Sequence, residues 1–330
     1  MKKIVVFMLV LVTMFSVFAQ GAAETSAKKT IYVLGPTPDH GWTAQAGSYA
    51  QAKCEEITAK GEIKAVYMAA SSGEEQVDQC NTIIANGDAS GVVMMALEDS
   101  AAAGQEALYA EKIPFISLDR FIESTMDYAI LNYSGNNWQC GAGIAYWLQQ
   151  NGMKPGDTVV TLYGDNGTVC KYREEGFRDF LKGNIDYSDK ATGKSYHTTE
   201  VWTDAQLDPV FNTYSVVCNW SADGAYDYLE QKLDEIVAKA DTNLYIYSMD
   251  DEMTFGMLNL IEGSSLSAAT KAKLESLNVY ISAIGGMQEL YDVMSGKAEQ
   301  AKIANQYFDN MMSVYFSPSM MKSVIDKMVD

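Results

Sequence analysis

Residues 113–120 read IPFISLDR. A short apolar run that follows a proline and stops at adjacent Asp and Arg has the pattern of a buried parallel strand, and open α/β sheets bind ligands just beyond the carboxyl ends of such strands. Asp119 and Arg120 therefore stand where a ligand would be met. A carboxylate accepts from hydroxyls, a guanidinium donates in a planar fork, and each offsets the other's charge, so the pair suits a polyhydroxylated molecule. A salt bridge closing a strand end is the other reading of the same two residues. Arg120 should in either case hold Asp119 ionised, which favours hydrogen-bond acceptance over acid catalysis.

Around this octapeptide the same grammar repeats. Strands at 30–34, 63–68 and 91–95 alternate with helices at 44–59, 74–86 and 101–111, and a further strand follows at 128–131. Polar residues 132–137 suit a crossing between lobes. Beyond them come a helix at 138–150, a strand at 158–163, a helix at 171–182, a polar insertion at 183–196 and a strand at 198–202. Helices at 224–239, 251–261 and 287–295 then alternate with strands at 244–248, 279–283 and 312–316, and a last helix starts at Pro318. Strands alternating with helices predict βαβ units and parallel sheets, and 330 residues exceed the usual single core. The predicted fold class is α/β: two doubly wound parallel-sheet lobes joined by a multi-crossing hinge, their strand ends facing each other across a cleft.

The first residues, MKKIVVFMLVLVTMFSVFAQGAAE, place two lysines before an apolar stretch and then small residues, the pattern of a secretory signal peptide over 1–23. The N-terminal lobe is expected over 24–134 plus 318–330 and the C-terminal lobe over 135–317. A formal charge of −19 makes nucleic acid and anionic membrane surfaces poor partners. The five cysteines, Cys54, Cys80, Cys140, Cys170 and Cys218, are scattered with no CxxC pair, so no zinc site is indicated, and burial as small apolar residues competes with disulfide formation. No cofactor or metal is expected.

Three further segments lie at strand ends. Asp39-His40-Gly41-Trp42 offers a polar group and an indole on which the C–H face of a sugar ring can lie, although Trp42 could equally anchor the following helix. A glycine-rich loop at 164–167 leads into a helix carrying Arg173, without the spacing of a phosphate loop. Asp250-Asp251-Glu252 opens another helix; capping and the helix dipole explain one acid there but do not require three. No GxSxG or HExxH motif occurs, and a carboxylate pair such as Asp119 and Asp250 is the one arrangement that leaves a glycosidase reading open.

In order and content these segments resemble the sugar-binding proteins of bacterial ABC transporters, the ribose- and galactose-binding type of periplasmic solute receptor. IPFISLDR resembles that family's strand ending in Asp-Arg, and RxxGF at 173–177 its second-lobe arginine helix. MDDEMTFGMLNLI at 249–261 resembles its (N/D)DEMAxG segment, and PDHGW at 38–42 its first-loop aromatic position. The resemblance implies a ligand site formed by His40, Trp42, Asp119, Arg120, Asn136 at the first crossing, Arg173, Trp202 as the second aromatic face, and Asp250. It also implies a protein that is not an enzyme, exported to the periplasm, which captures a small carbohydrate or polyol and hands it to a membrane permease; a chemoreceptor is the alternative partner and an exported carbohydrate-active enzyme the alternative class. Two departures stand out. Ile284-Gly285-Gly286 replaces an expected aspartate, and Phe316-Ser317-Pro318 replaces a polar residue near the last crossing, which points away from ribose toward a different sugar-like ligand.

Overall fold

The computed structural model describes residues 29–38 and 41–330. The expected signal peptide and His40 lie outside these residues. Twelve helices and twelve strands are found among those described.

The first lobe is built on β1 (Thr30–Pro36), β2 (Lys64–Ala70), β3 (Ala89–Met94), β4 (Phe115–Leu118) and β5 (Leu131–Tyr133), with α1 (Gly41–Lys60), α2 (Gly73–Asn86) and α3 (Ala102–Ala110) between them. The sheet order is β2-β1-β3-β4-β5 and every pairing is parallel. Ile31, Val33, Ile116 and Leu118 point to one face and Tyr32, Leu34, Val92, Met94 and Phe115 to the other, so helices cover both. This is why the strands read as continuous apolar runs.

The second lobe contains α4 (Asn137–Gln150), β6 (Thr158–Tyr163), α5 (Thr168–Leu181), α6 (Asp204–Asn212), β9 (Tyr214–Val217), α7 (Ala222–Lys239) and β10 (Asn243–Ser248). It continues through α8 (Asp251–Glu262), α9 (Ala268–Glu275), β11 (Asn278–Gly285), α10 (Gln288–Met294), α11 (Ala301–Tyr307) and β12 (Asn310–Tyr315). Its sheet order is β12-β11-β10-β6-β9, again all parallel. Counted in chain order, both sheets follow the sequence 2-1-3-4-5. Each lobe thus has its topological switch point beside its first strand, between β1 and β3 in one and between β6 and β10 in the other.

The chain crosses between lobes after β5 and again after β12, because α12 (Met320–Val329) returns to the first lobe. Met321, Val324 and Ile325 of α12 are buried with Ile31 and Leu118, and Asp326 pairs with Lys53 at 2.8 Å. The two crossings touch: a Cβ on Gly135 would lie 2.2 Å from the Phe316 ring, so a glycine is required there.

Three local expectations are revised. The segment 198–202 forms no strand; Trp202 donates its backbone N–H to the Leu181 carbonyl (2.8 Å) and the next turn becomes α6, where the Gln206 side chain accepts from the Thr203 N–H (2.8 Å). The strand of that region is β9, formed instead by Tyr-Ser-Val-Val after α6. The strand expected at 128–131 starts at Leu131, because Met126–Tyr128 closes a 3-10 turn. The insertion at 183–196 folds into a hairpin of β7 (Tyr187–Asp189) and β8 (Lys194–Tyr196), whose tyrosines stack on Tyr146. All five cysteines are buried and unpaired.

Helices α4 and α5 pack with almost no separation. A Cβ on Gly141 would lie 1.9 Å from the Arg173 carbonyl oxygen, and one on Gly176 would lie 2.0 Å from that of Trp138. Backbone is met on both sides, so neither helix can yield by a side-chain rotation. Gly141→Ala is expected to destabilise the protein by at least ~1–3 kcal/mol, the range for overpacking a core, measured as a lowered urea midpoint.

Candidate functional site

The carboxyl ends of both sheets enclose a cleft of about 440 Å³, within the usual ~300–1,000 Å³ of small-molecule sites. From the first lobe it receives Trp42 after β1, Leu97 and Glu98 after β3, and Asp119 and Arg120 after β4. From the second it receives Asp165 after β6, Trp220 after β9, Asp250 and Glu252 after β10, and Gly285 at the end of β11, with Arg173 from α5 and Phe316 from the second crossing. Each switch point therefore contributes to one shared space.

Asp119 is buried and takes φ +60°, a left-handed conformation that a side chain adopts only under constraint. Its N–H donates to the Tyr133 carbonyl (2.8 Å), locking the end of β4 to β5, and Ser134 Oγ lies 3.4 Å from Oδ1. Burial raises its pKa, and the nearby Arg120 and Arg173 charges only partly oppose that. The expectation that Arg120 would dominate is thus corrected: desolvation is the larger effect. Arg120 donates to the Leu97 carbonyl (3.1 Å) and lies 5.2 Å over the Trp220 ring.

Arg173 is buried at the junction of the lobes. Its Nε donates to Asn137 Oδ1 (2.9 Å), Nη1 donates to the Met249 carbonyl, and the guanidinium lies between the rings of Trp220 (5.6 Å) and Phe316 (5.3 Å). Hydrogen bonds and two π faces together replace much of the water it has lost.

The three acids after β10 divide the work. Asp250 is the N-cap of α8 and accepts from the Glu252 N–H (2.8 Å). Its pKa is pushed up to about 7, first by burial and next by the Asp251 charge, against the lowering effects of the Glu252 N–H and Arg173. Asp251 faces away from the cleft, where it accepts from the Met287 N–H (2.7 Å) and from Ser313 Oγ (2.6 Å). Glu252 reaches across to the first lobe, since a Cβ on Gly41 would lie 2.7 Å from its Oε1. Asp251 also explains Gly285: a Cβ there would lie 2.9 Å from Asp251 Oδ2, and the backbone is at φ +158°. The place of the expected aspartate is already occupied from behind.

Two sequence assignments are corrected. Trp202 is fully buried in the second-lobe core with Leu181, Leu207 and Phe211, and has no face toward the cleft. The second aromatic wall is Trp220, whose Nε1 donates to Asp165 Oδ2 (2.7 Å) and whose ring lies flat against Gly164, where a Cβ would be 2.1 Å away. Asn219 and Trp220 both have left-handed φ, 54° and 57°, which turns the indole from the end of β9 into the cleft. Asn136 is exposed and caps α4 by accepting from the Gln139 N–H (3.0 Å); Asn137, one residue on, holds Arg173. Trp42, Asp119, Arg120, Arg173 and Asp250 do converge on the cleft. Trp42 lines the cleft, and its Nε1 donates to the Phe316 carbonyl (2.7 Å) at the second crossing.

Two five-stranded parallel sheets of one topology, facing across a cleft of acids, arginines and indoles, define an α/β receptor of the two-lobed kind. The chain belongs to the periplasmic binding protein domain family, whose model matches residues 31–306. No curated protein matches it. Among solved structures it is similar to the periplasmic binding protein component of the arabinose ABC transporter from Shewanella sp. ANA-3, bound to α- and β-L-arabinofuranose. Identity is 16%, with 91% of this chain and 85% of that one covered, at a TM-score of 0.64. It is similar too to a carbohydrate transporter solute binding protein from Chloroflexus aurantiacus in complex with D-glucose (15% identity, 92% and 84% covered, TM-score 0.66). A third is the Caulobacter myo-inositol binding protein bound to myo-inositol (15%, 94% and 89%, TM-score 0.63). At these identities the likeness establishes the fold.

The raised pKa of Asp250 gives a signed prediction. Below about pH 4 the group is protonated folded or unfolded; between there and about 7 only the unfolded chain releases the proton, so stability falls as pH rises through this window. Asp250→Asn keeps a good N-cap and removes the buried charge. It is expected to raise the melting temperature at pH 8 by several degrees, with little change at pH 4, as read by circular dichroism melts.

Proposed function

We propose that this protein is an exported solute-binding protein that captures a small sugar or sugar-like ligand between its lobes and delivers it to an ABC-transporter permease. The observation that carries the reading is the convergence of buried acceptors and donors, Asp119, Asp250 and Arg173, between the rings of Trp42, Trp220 and Phe316. Carboxylates that are desolvated but not fully bonded accept readily from hydroxyls, and the aromatic faces suit the C–H surface of a ring. That combination suits a polyhydroxylated molecule. Asp250 is tied to the Glu252 N–H as a helix cap, and Asp119 stands beside Arg120 where ring hydroxyls could bond both.

Closure about the two crossings fits the contacts between lobes. Thr168 at the start of α5 both donates to the Phe121 carbonyl (2.9 Å) and accepts from the Phe121 N–H (3.0 Å), and Lys171 pairs with Glu123 nearby. These bonds join the two lobes and would break if the lobes swung apart. A ligand that touches both lobes therefore favours the closed form, the shape a permease would recognise.

Addition of a cognate sugar from a panel of pentoses, hexoses and polyols is expected to change tryptophan emission, because Trp42 and Trp220 wall the site, and to raise the melting temperature. Asp119→Ala should weaken that ligand by at least ~10-fold in calorimetry, consistent with the roughly 1.5–3 kcal/mol of a hydrogen bond to a charged group. Unchanged emission and melting temperature across the whole panel would overturn the reading.

A further inference from the structure

The cleft does not end at Arg120. A second chamber of about 220 Å³ continues from it toward the mouth, and the two share Leu97, Glu98, Arg120, Asp165 and Val169 as lining. The added space equals about seven waters at ~30 Å³ each, comparable with one sugar ring. Its own walls come from both lobes: Asp99, Phe121 and Ile122 from the first, Asn166, Gly167 and Thr168 from the second.

We propose that the site has two subsites and takes a disaccharide, with one ring between Trp42 and Trp220 and the second in the chamber beyond Arg120. This rests on the sugar-binding reading above and extends it to the size of the ligand. The walls argue for a sugar as the second ring. Ile122 and Val169 are buried and give apolar surface, while Glu98 and Asp99 are exposed carboxylates at the rim, able to accept from hydroxyls. An apolar aglycone would have to sit against those carboxylates and strip water from them without bonding them. Arg120 stands between the spaces, fixed by the Leu97 carbonyl and the Trp220 ring, so its remaining N–H groups are placed beside the link between two rings.

The chamber is bounded on one side. Thr168 and Phe121, which line it, are joined by the reciprocal pair of hydrogen bonds between the lobes, and the Lys171–Glu123 pair stands near them. A third ring could not pass through that bridge and would have to leave past the exposed Glu98 and Asp99. A disaccharide should therefore gain more from the chamber than a third ring adds.

The test compares monosaccharides, disaccharides and trisaccharides by isothermal calorimetry on the mature protein and on two variants. Asn166 and Asp99 are exposed and line the second chamber but not the main cleft. Asn166→Trp fills the chamber, and Asp99→Ala removes a rim acceptor without adding bulk. The expected result is a disaccharide that binds at least 10-fold tighter than either component sugar and loses that advantage in N166W. In D99A the same ligand should weaken several-fold, while the component monosaccharide binds all proteins alike. Melts of the ligand-free variants establish that N166W is folded, and D99A carries the test alone if it is not. A monosaccharide that binds as tightly as any disaccharide, with both variants indifferent, overturns the two-subsite proposal but leaves sugar binding intact. Trisaccharide binding that is tighter than that of every disaccharide overturns the two-subsite proposal. No binding by any sugar removes the underlying reading instead.

Discussion

The guanidinium of Arg173 carries a full charge into a region that water scarcely reaches, and the architecture around it exists on that condition. A buried cation without partners would cost several kcal/mol. Here Asn137 at the first crossing accepts from it, the Met249 carbonyl at the end of β10 accepts from it, and Phe316 at the second crossing and Trp220 after β9 supply π faces. One side chain thus ties together both crossings, a strand end and an aromatic wall. Its own position depends on α5 lying in backbone contact with α4, which the paired glycines Gly141 and Gly176 allow. The contacts that join the crossings and the contacts that wall the cleft are in this sense the same set.

The carboxylates respond to that cation unequally. Asp119 and Asp250 both feel its charge, yet burial outweighs it and raises the pKa of each. Asp251 is also buried, but Ser313 and the Met287 N–H bond its two oxygens, so it supports the loop after β11 and keeps no acceptor for the cleft. The difference shows why three consecutive acids are not redundant: one caps a helix from inside the cleft, one fastens a loop from behind, and one reaches toward the opposite lobe.

Much of this was legible in the sequence where a local pattern coincided with a position in the fold. IPFISLDR announces both a buried strand and the charged pair at its end, and Asp250 follows LYIYS in the same way. The second aromatic wall was not legible by that route. It follows β9, a four-residue edge strand too short for a periodic signal, whereas Trp202 ends Thr-Thr-Glu-Val-Trp, five residues rich in β-branched and aromatic types that imitate a strand. An indole bound for a core and one bound for a cleft look alike in sequence; the cue that separates them is Cys218-Asn219-Trp220 directly after Tyr-Ser-Val-Val, a strand end like the others. Asn136 and Asn137 differ for a simpler reason. The N-cap turns its side chain back onto the helix end, and the next residue, about 100° around the axis, is the one that faces Arg173.

The identical strand order of the two lobes explains why so few residues suffice. Each sheet places its switch point beside its first strand, so facing the sheets aligns two ligand-binding crevices without any long insertion to bridge them. Residues just beyond seven strand ends then line one shared space. The cost of this economy is that Asp119, Asn219 and Trp220 all take left-handed backbone, on the order of 1–3 kcal/mol each for residues with side chains. Such strain is retained where a side chain must leave the strand direction at once, and in this chain those two turns, after β4 and after β9, aim a carboxylate and an indole into the same space from opposite lobes. The strained turns are therefore points at which side chains leave a general α/β scaffold to line this cleft.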